Sequence, residues 1–324
     1  MIIYKTPYRI PLAGGGTDID LYYKKRGGKL ISFTFDQYIY TFLSQRPLDE
    51  KILVQTTKSE FSENLTEVKH NTIKEVLRYF KITKKIQIGT FSTIPTKSGL
   101  GTSSSQMVGF INNFLKLKKK RMKLKDVVKL AYKIERKIIG DDGGWQDQIT
   151  AAYGGIIKID INKKGNFFVK KIKISKNKIL KFEKHFILIF TEEVRRSSKI
   201  ISKQRKKSNI NNVIKLYDKL KEKVPIMEKA LKEGDVKKIG IIFNEHWKIK
   251  RNLTKSISNN YLDNLYVKLM KSNLFYGGKI IGAGGGGFFL MVCKNKNSSI
   301  NFLKKEKIKY TNIKFEFSGS KEIY

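Results

Sequence analysis

Three glycine-rich segments of this chain carry residue types suited to handling phosphate. The first is A-G-G-G-T-D (13–18), behind P-Y-R-I-P (7–11), and the second is K-S-G-L-G-T-S-S-S (97–105). The third, G-A-G-G-G-G-F-F (282–289), sets four consecutive glycines ahead of an apolar run. In the second segment Gly99 and Gly101 let the backbone approach an anion, and Thr102 or Ser103 can cap the helix that follows. The free N–H groups and positive dipole end of that helix favour phosphate, although a plain hydroxyl-capped turn would read the same way. The G-K-[ST] ending of an ordinary P-loop is missing, so something other than a loop lysine must offset phosphate charge. Four glycines exceed what a bulge or tight turn needs, which points to close approach of a ligand or another loop. In the first segment Asp18 reads as an Asx turn or helix cap as readily as a ligand, and Arg9 as a surface strand residue. Three such loops in one chain suggest a shared cleft.

Two carboxylates stand apart from the rest. On a helix over 124–139, Glu135 shares a face with Val128, Ala131, Ile138 and Ile139 by three-, four- and seven-residue spacing. A carboxylate on an apolar face needs a partner, and a metal ion or an arginine would each serve. In G-D-D-G-G-W-Q-D-Q, Asp141 and Asp142 read as turn formers, whereas Asp147 opens a helix beside Trp145. There it is either a first-turn acid set against the helix dipole or the base that takes a substrate hydroxyl's proton in phosphoryl transfer. Arg195 and Arg196, in T-E-E-V-R-R-S-S, are an anion clamp or a solvated pair. His70, His185 and His246 show no metal-ligand spacing, and the single Cys293 rules out an internal disulfide.

An α+β chain has to position these residues. β-rich patterns cover 2–13, 29–46 and 51–56, a helix is expected at 67–80, and a strand at 85–92 leads into the second glycine loop. Helices follow at 102–116, 124–139 and 145–153, then a turn at Lys163-Lys164-Gly165 between two β-like runs. After the strand H-F-I-L-I-F (185–190), helical periodicity covers 197–206, 209–232, 234–250 and 258–272. Strands at 278–281 and 287–293 flank the third glycine cluster, and a β-like run ends the pattern at 311–318. The composition shift falls between about 160 and 180, giving domains over 1–170 and 171–324.

The 324 residues suffice for two domains with a substantial core. The net charge of +39, from 67 basic and 28 acidic residues, invites a nucleic-acid partner. The excess is mostly lysine spread along the chain, which reads as compositional bias more than a binding groove. No apolar run approaches the roughly 18 residues of a membrane span, and the first residues lack a secretory pattern, so a cytoplasmic protein without a membrane partner is expected.

The order of P-Y-R-I-P-L-A-G-G-G-T-D, P-T-K-S-G-L-G-T-S-S-S and G-A-G-G-G-G-F-F resembles the three motifs of the GHMP small-molecule kinases, over residues 4 to about 290. Within that family, A-G-G-G-T-D, G-G-W-Q-D-Q-I-T-A-A-Y-G-G, V-R-R-S-S-K-I and N-E-H-W-K-I-K look most like bacterial heptose 7-phosphate kinases. The resemblance implies an N-terminal domain like ribosomal protein S5 domain 2 and a ferredoxin-like C-terminal domain. It implies ATP held on Lys97, Ser98, Gly99, Leu100, Gly101, Thr102, Ser103 and Ser104. Mg²⁺ would sit on Thr102 or Ser103 together with Glu135. Asp147 matches the catalytic aspartate and Arg9 the arginine near it; Gly15, Gly16, Thr17 and Asp18 match the sugar-binding segment. Gly144, Arg195, Arg196, Gly284 and Gly285 join them as substrate contacts, with the paired arginines as candidates for a substrate phosphate. Galactokinases carry Glu-His where this chain has Gly15-Gly16, which disfavours galactose. The implied reaction is phosphorylation of the anomeric hydroxyl of D-glycero-D-manno-heptose 7-phosphate, feeding surface-polysaccharide synthesis. Another sugar such as fucose, a non-catalytic sugar sensor and a basic nucleic-acid binder are the alternatives, and a homo-oligomer is left open.

Overall fold

The computed structural model describes residues 1–95, 98–193 and 210–324. Strand β1 (Ile2–Ala13) and the long β2 (Gly28–Gln45), joined through helix α1 (Asp20–Arg26), form the spine of the larger sheet. Their alternation sends Tyr8, Ile10, Leu12, Ile31, Phe33 and Phe35 into one core, as period-two strands do. β3 (Ile52–Gln55) and β4 (Ser59–Ser62) follow, then α2 (Asn71–Tyr79) and β5 (Ile86–Ser92). β2 is long enough to be shared. Its second half pairs β5, which carries β3 in parallel, and its first half pairs β6 (Ile156–Ile161), which carries β7 (Phe167–Lys171). Helices α2, α3 (Thr102–Leu117), α4 (Leu124–Tyr132) and α5 (Gln146–Tyr153) contribute, with β2, β3, β5 and β6, to a second core.

The placement of α3 sets the site. At Gly109 an added Cβ would lie 2.6 Å from Thr41 Oγ1, so this helix can lie directly on β2. Thr41 Oγ1 donates to Asn113 Oδ1 (2.6 Å), Asn113 Nδ2 to Ile2 O (3.0 Å), and Ser105 Oγ to Pro7 O (3.0 Å). The start of α3 is thereby pinned two residues from Arg9.

The second half builds β8 (Phe186–Phe190), β9 (Phe275–Ile280), β10 (Phe288–Cys293) and β11 (Tyr310–Asn312) into one antiparallel sheet in the order β11-β8-β10-β9. In chain order that is 4-1-3-2, the ferredoxin-like arrangement. Helices α6 (Lys176–His185), α7 (Ile210–Glu233), α8 (Val236–Arg251), α9 (Asn260–Lys271) and α10 (Lys296–Lys305) surround it. The F-F-L-M-V-C run is buried throughout because both its faces are covered: Phe288, Leu290 and Val292 join the first core, and Phe289, Met291 and Cys293 a third.

The structure departs from the sequence reading in several places. Helices α1, α6 and α10 and strands β4 and β13 (Lys321–Glu322) were not anticipated, being short and interrupted by lysines or other polar residues. The helix expected over 124–139 is α-helical only to Tyr132 and continues as a π-turn over Lys133–Ile138, which leaves Ile138 44% exposed instead of on the buried face. The run at 311–318 divides between sheets: β11 belongs to the small one, whereas β12 (Phe315–Glu316) pairs β2 and β13 pairs β1. The last strands thus cross back over the expected division at 170/171. The helix expected at 197–206 lies outside the described residues. No helix among them is long and apolar enough to cross a membrane.

Phe315 stacks on Phe33 with ring centroids 4.4 Å apart and also meets Phe182 and Phe186. Phe315→Ala should therefore cost about 3–5 kcal/mol, read as a lowered urea midpoint at unchanged slope.

Candidate active site

A cleft of about 590 Å³ opens where the start of α3, the glycine turn after β1, and residues of α8 and β9 meet. Arg9 is buried in its wall. Nε and Nη2 donate to Oδ1 and Oδ2 of Asp147, each at 2.6 Å, and Nη1 donates to Gly99 O at 2.7 Å. This is a two-pronged guanidinium–carboxylate pair, the geometry that carries most energy and direction. Burial alone would raise the Asp147 pKa, but Arg9, aided by Arg136, outweighs it and holds the carboxyl below the usual carboxylate range. Asp147 is therefore an anion at neutral pH and a weak base at rest.

Asp147 stands in the first turn of α5, and Asp18 fixes that turn. Asp18 Oδ2 accepts from Gln146 N (2.9 Å) and Oδ1 from Gly16 N (3.1 Å), so one buried carboxylate ties the glycine turn to the helix start. Burial pushes its pKa up. Gly144 makes the room: a Cβ there would sit 2.0 Å from Asp18 Oδ2. Gly15, Gly16, Asp18 and Gly144 line the cleft. Thr17 does not, because its hydroxyl bridges Gly14 O (2.7 Å) and Lys29 O (2.8 Å) and holds the turn on β2.

Gly99, Gly101, Thr102, Ser103 and Ser104 line the same cleft, with Leu100 buried. The cap expected of Thr102 or Ser103 is absent. Gly101 holds the N-cap position at φ 81°, and no side chain competes for the first-turn N–H groups of α3. The third glycine segment backs this loop. A Cβ on Gly282 would lie 2.6 Å from Gly99 O, and one on Gly287 2.2 Å from Ser98 O. Gly282 and Ala283 reach the cleft, whereas Gly284 and Gly285 pack on Ile257, where Gly285 N donates to the carbonyl at 2.8 Å. Lys97, Arg195 and Arg196 lie outside the described residues.

Glu135 is 1% exposed, and of the two partners left open by the sequence an arginine stands beside it. Its Oε2 accepts from Ser104 Oγ (2.8 Å) and Gln148 Nε2 (2.7 Å). Its Oε1 has no hydrogen bond and lies 3.5 Å from Arg136 Nη1. Arg136 Nη2 in turn donates to Ser104 Oγ at 3.3 Å. Adjacent residues of an α-helix point apart; the π-turn brings 135 and 136 to one hydroxyl. That hydroxyl belongs to Ser104, not to Thr102 or Ser103.

The sequence reading missed Arg136, Tyr217, His246, Lys250 and Lys279, all on the cleft. Lys250 shares helical spacing with Phe243, His246 and Trp247, the same signal that singled out Glu135.

Comparison with known proteins places the chain as follows. Residues 68–155 match the GHMP kinases N terminal domain and residues 227–309 the GHMP kinases C terminal domain. The D-glycero-alpha-D-manno-heptose 7-phosphate kinase of Campylobacter jejuni is 30% identical over 98% of this chain and 97% of its own. A mevalonate kinase of Methanocaldococcus jannaschii is 25% identical over 97% of this chain and 99% of its own. The crystal structure of a D-glycero-D-manno-heptose 1-phosphate kinase from Bacteroides thetaiotaomicron superposes with a TM-score of 0.83 at 23% identity, covering 100% of this chain and 99% of that one.

The stabilisation from the Arg9–Asp147 pair is present above the ordinary carboxylate range and is lost as pH falls through the depressed Asp147 value. Arg9→Met should cost about 3 kcal/mol at neutral pH, because it strands a largely buried carboxylate. Urea unfolding at successively lower pH should show that deficit shrinking as Asp147 protonates.

Proposed function

The chain belongs to the GHMP kinase family, and from that premise we propose that it transfers the terminal phosphoryl group of ATP to a hydroxyl of a sugar phosphate, the anomeric hydroxyl of D-glycero-D-manno-heptose 7-phosphate foremost. The observation that carries the chemistry is the Arg9–Asp147 fork beside an uncapped glycine-led helix start in one cleft. The full-length 30% likeness to the Campylobacter enzyme favours the heptose phosphate.

In this reading the loop amides of 98–101 and the first turn of α3 receive the phosphate chain, where N–H groups and the helix dipole favour anions. Mg²⁺ fits the adjoining residues, since Glu135 offers a buried carboxylate oxygen without a hydrogen bond, beside the Ser104 hydroxyl. One carboxylate and a hydroxyl, completed by phosphate oxygens and water, is a donor set that this ion accepts. When bound, the ion offsets charge on the transferring group. Asp147 accepts the hydrogen bond of the acceptor hydroxyl and aims its oxygen along the line of transfer. A carboxylate held low by Arg9 takes the proton late, once the growing bond to phosphorus has acidified that hydroxyl. Arg136, between Glu135 and Ser104, supplies positive charge on the other side.

An ATP-consumption screen over heptose 7-phosphate, mannose, fucose and galactose should give the heptose phosphate the highest kcat/KM. A higher value for an unphosphorylated sugar would overturn the acceptor assignment. Asp147→Asn should lower kcat about 100-fold or more with nucleotide binding by calorimetry nearly unchanged. Glu135→Gln should shift the Mg²⁺ activation curve to higher concentration, and an unmoved curve would assign Glu135 to Arg136 alone.

A further inference from the structure

Resting on the sugar-phosphate reading, we propose that His246, Lys250 and Lys279 form a second anion subsite in the cleft, which seats the phosphate monoester that the acceptor already carries. Lys250 on α8 is 8% exposed, Lys279 on β9 is 1% exposed, and His246, one turn before Lys250, is 2% exposed. All three line the cleft. Helix and strand hold them together by direct backbone contact, since a Cβ on Gly277 of β9 would lie 2.1 Å from Gly240 O of α8.

What these groups lack is an anion. Lys250 Nζ donates to Gly282 O and Lys279 Nζ to Leu12 O (2.8 Å), both neutral carbonyls. Among the described residues neither ammonium has a carboxylate in ion-pair contact, and neither nitrogen of the His246 ring has a hydrogen-bond partner. Arg9 adds a third positive charge nearby, and its own counter-ion, Asp147, is taken by the two-pronged bond. Burial and Arg9 push the Lys250 ammonium down to about 7, and burial and its cationic neighbours push Lys279 and His246 well below their ordinary values. Two buried lysines without a counter-ion are costly, and here each is met only by a neutral carbonyl, with the Phe243 ring 5.1 Å from Lys279 Nζ. A dianion with three acceptor oxygens supplies the counter-charge these groups lack; a sugar hydroxyl would leave the charge uncompensated.

The acceptor's phosphate and the nucleotide's phosphates share this chemistry, and Lys250→Met separates them. The full-length protein, with ADP saturating the nucleotide loop, is melted with and without inorganic phosphate. Phosphate should raise the Tm of the wild type and not of the variant. Without phosphate the variant should melt at the same temperature or higher, because an apolar chain replaces a buried charge; a lysine kept only to bond Gly282 would instead lose stability. In turnover, KM for heptose 7-phosphate should rise by about tenfold or more and KM for ATP stay within about twofold, tenfold being 1.4 kcal/mol. His246→Gln, a milder change, should move both readouts the same way. Equal phosphate shifts in wild type and variant, or a rise confined to KM for ATP, overturns the proposal. If the wild type turns over no sugar phosphate while the phosphate shift still disappears in the variant, the anion subsite stands and the heptose assignment falls.

Discussion

A guanidinium in the middle of a buried strand must find a carboxylate, and the demands of that one pair shape the molecule around it. Arg9 cannot reach Asp147 unless α5 starts beside β1, and α5 starts there because Asp18 collects its first N–H and Gly144 leaves space for the collecting oxygen. The third prong of Arg9 fastens the carbonyl of Gly99, so the same side chain also sets the glycine loop ahead of α3. Three segments far apart in the chain are held to a common point by a single residue. In a low-dielectric wall such a pair keeps its geometry because leaving it strands a charge.

Much of this was legible in the sequence, and the reason is physical. β-rich patterns marked β1 and β2, a continuous apolar run marked β10, and glycine clusters marked the places where backbone meets backbone. Asp147 and Glu135 were visible as acids in unusual company. Three things were hidden. That Glu135 meets Arg136 and keeps one carboxylate oxygen without a hydrogen bond could not be read from a 100° wheel, since the π-turn changes the step. Thr17, Gly284 and Gly285 belong to motifs at the site yet spend their contacts on holding turns together, a distinction that only three-dimensional placement makes. Lys250 was lost among a great many lysines, and His246 was weighed only for metal-ligand spacing. Composition made basic residues look uninformative, although the helix wheel already placed these two on an apolar face.

The charge of the chain therefore divides into two unlike populations. Most basic side chains are exposed, and pairs such as Lys229–Glu233 or Lys24–Asp20 contribute little there. The cations around the cleft are few, buried and fixed, and each carries far more free energy per charge.

The closing strands of the larger sheet come from the far end of the sequence. Residues 321–322 pair with β1, Phe315 stacks beneath β2, and Ser320 Oγ lies 2.8 Å from Thr6 Oγ1. The edge of β1 at Tyr4 and Lys5 can therefore close only after residues 321–322 have been made, and it stays open as an unpaired sheet edge while the intervening chain is synthesised.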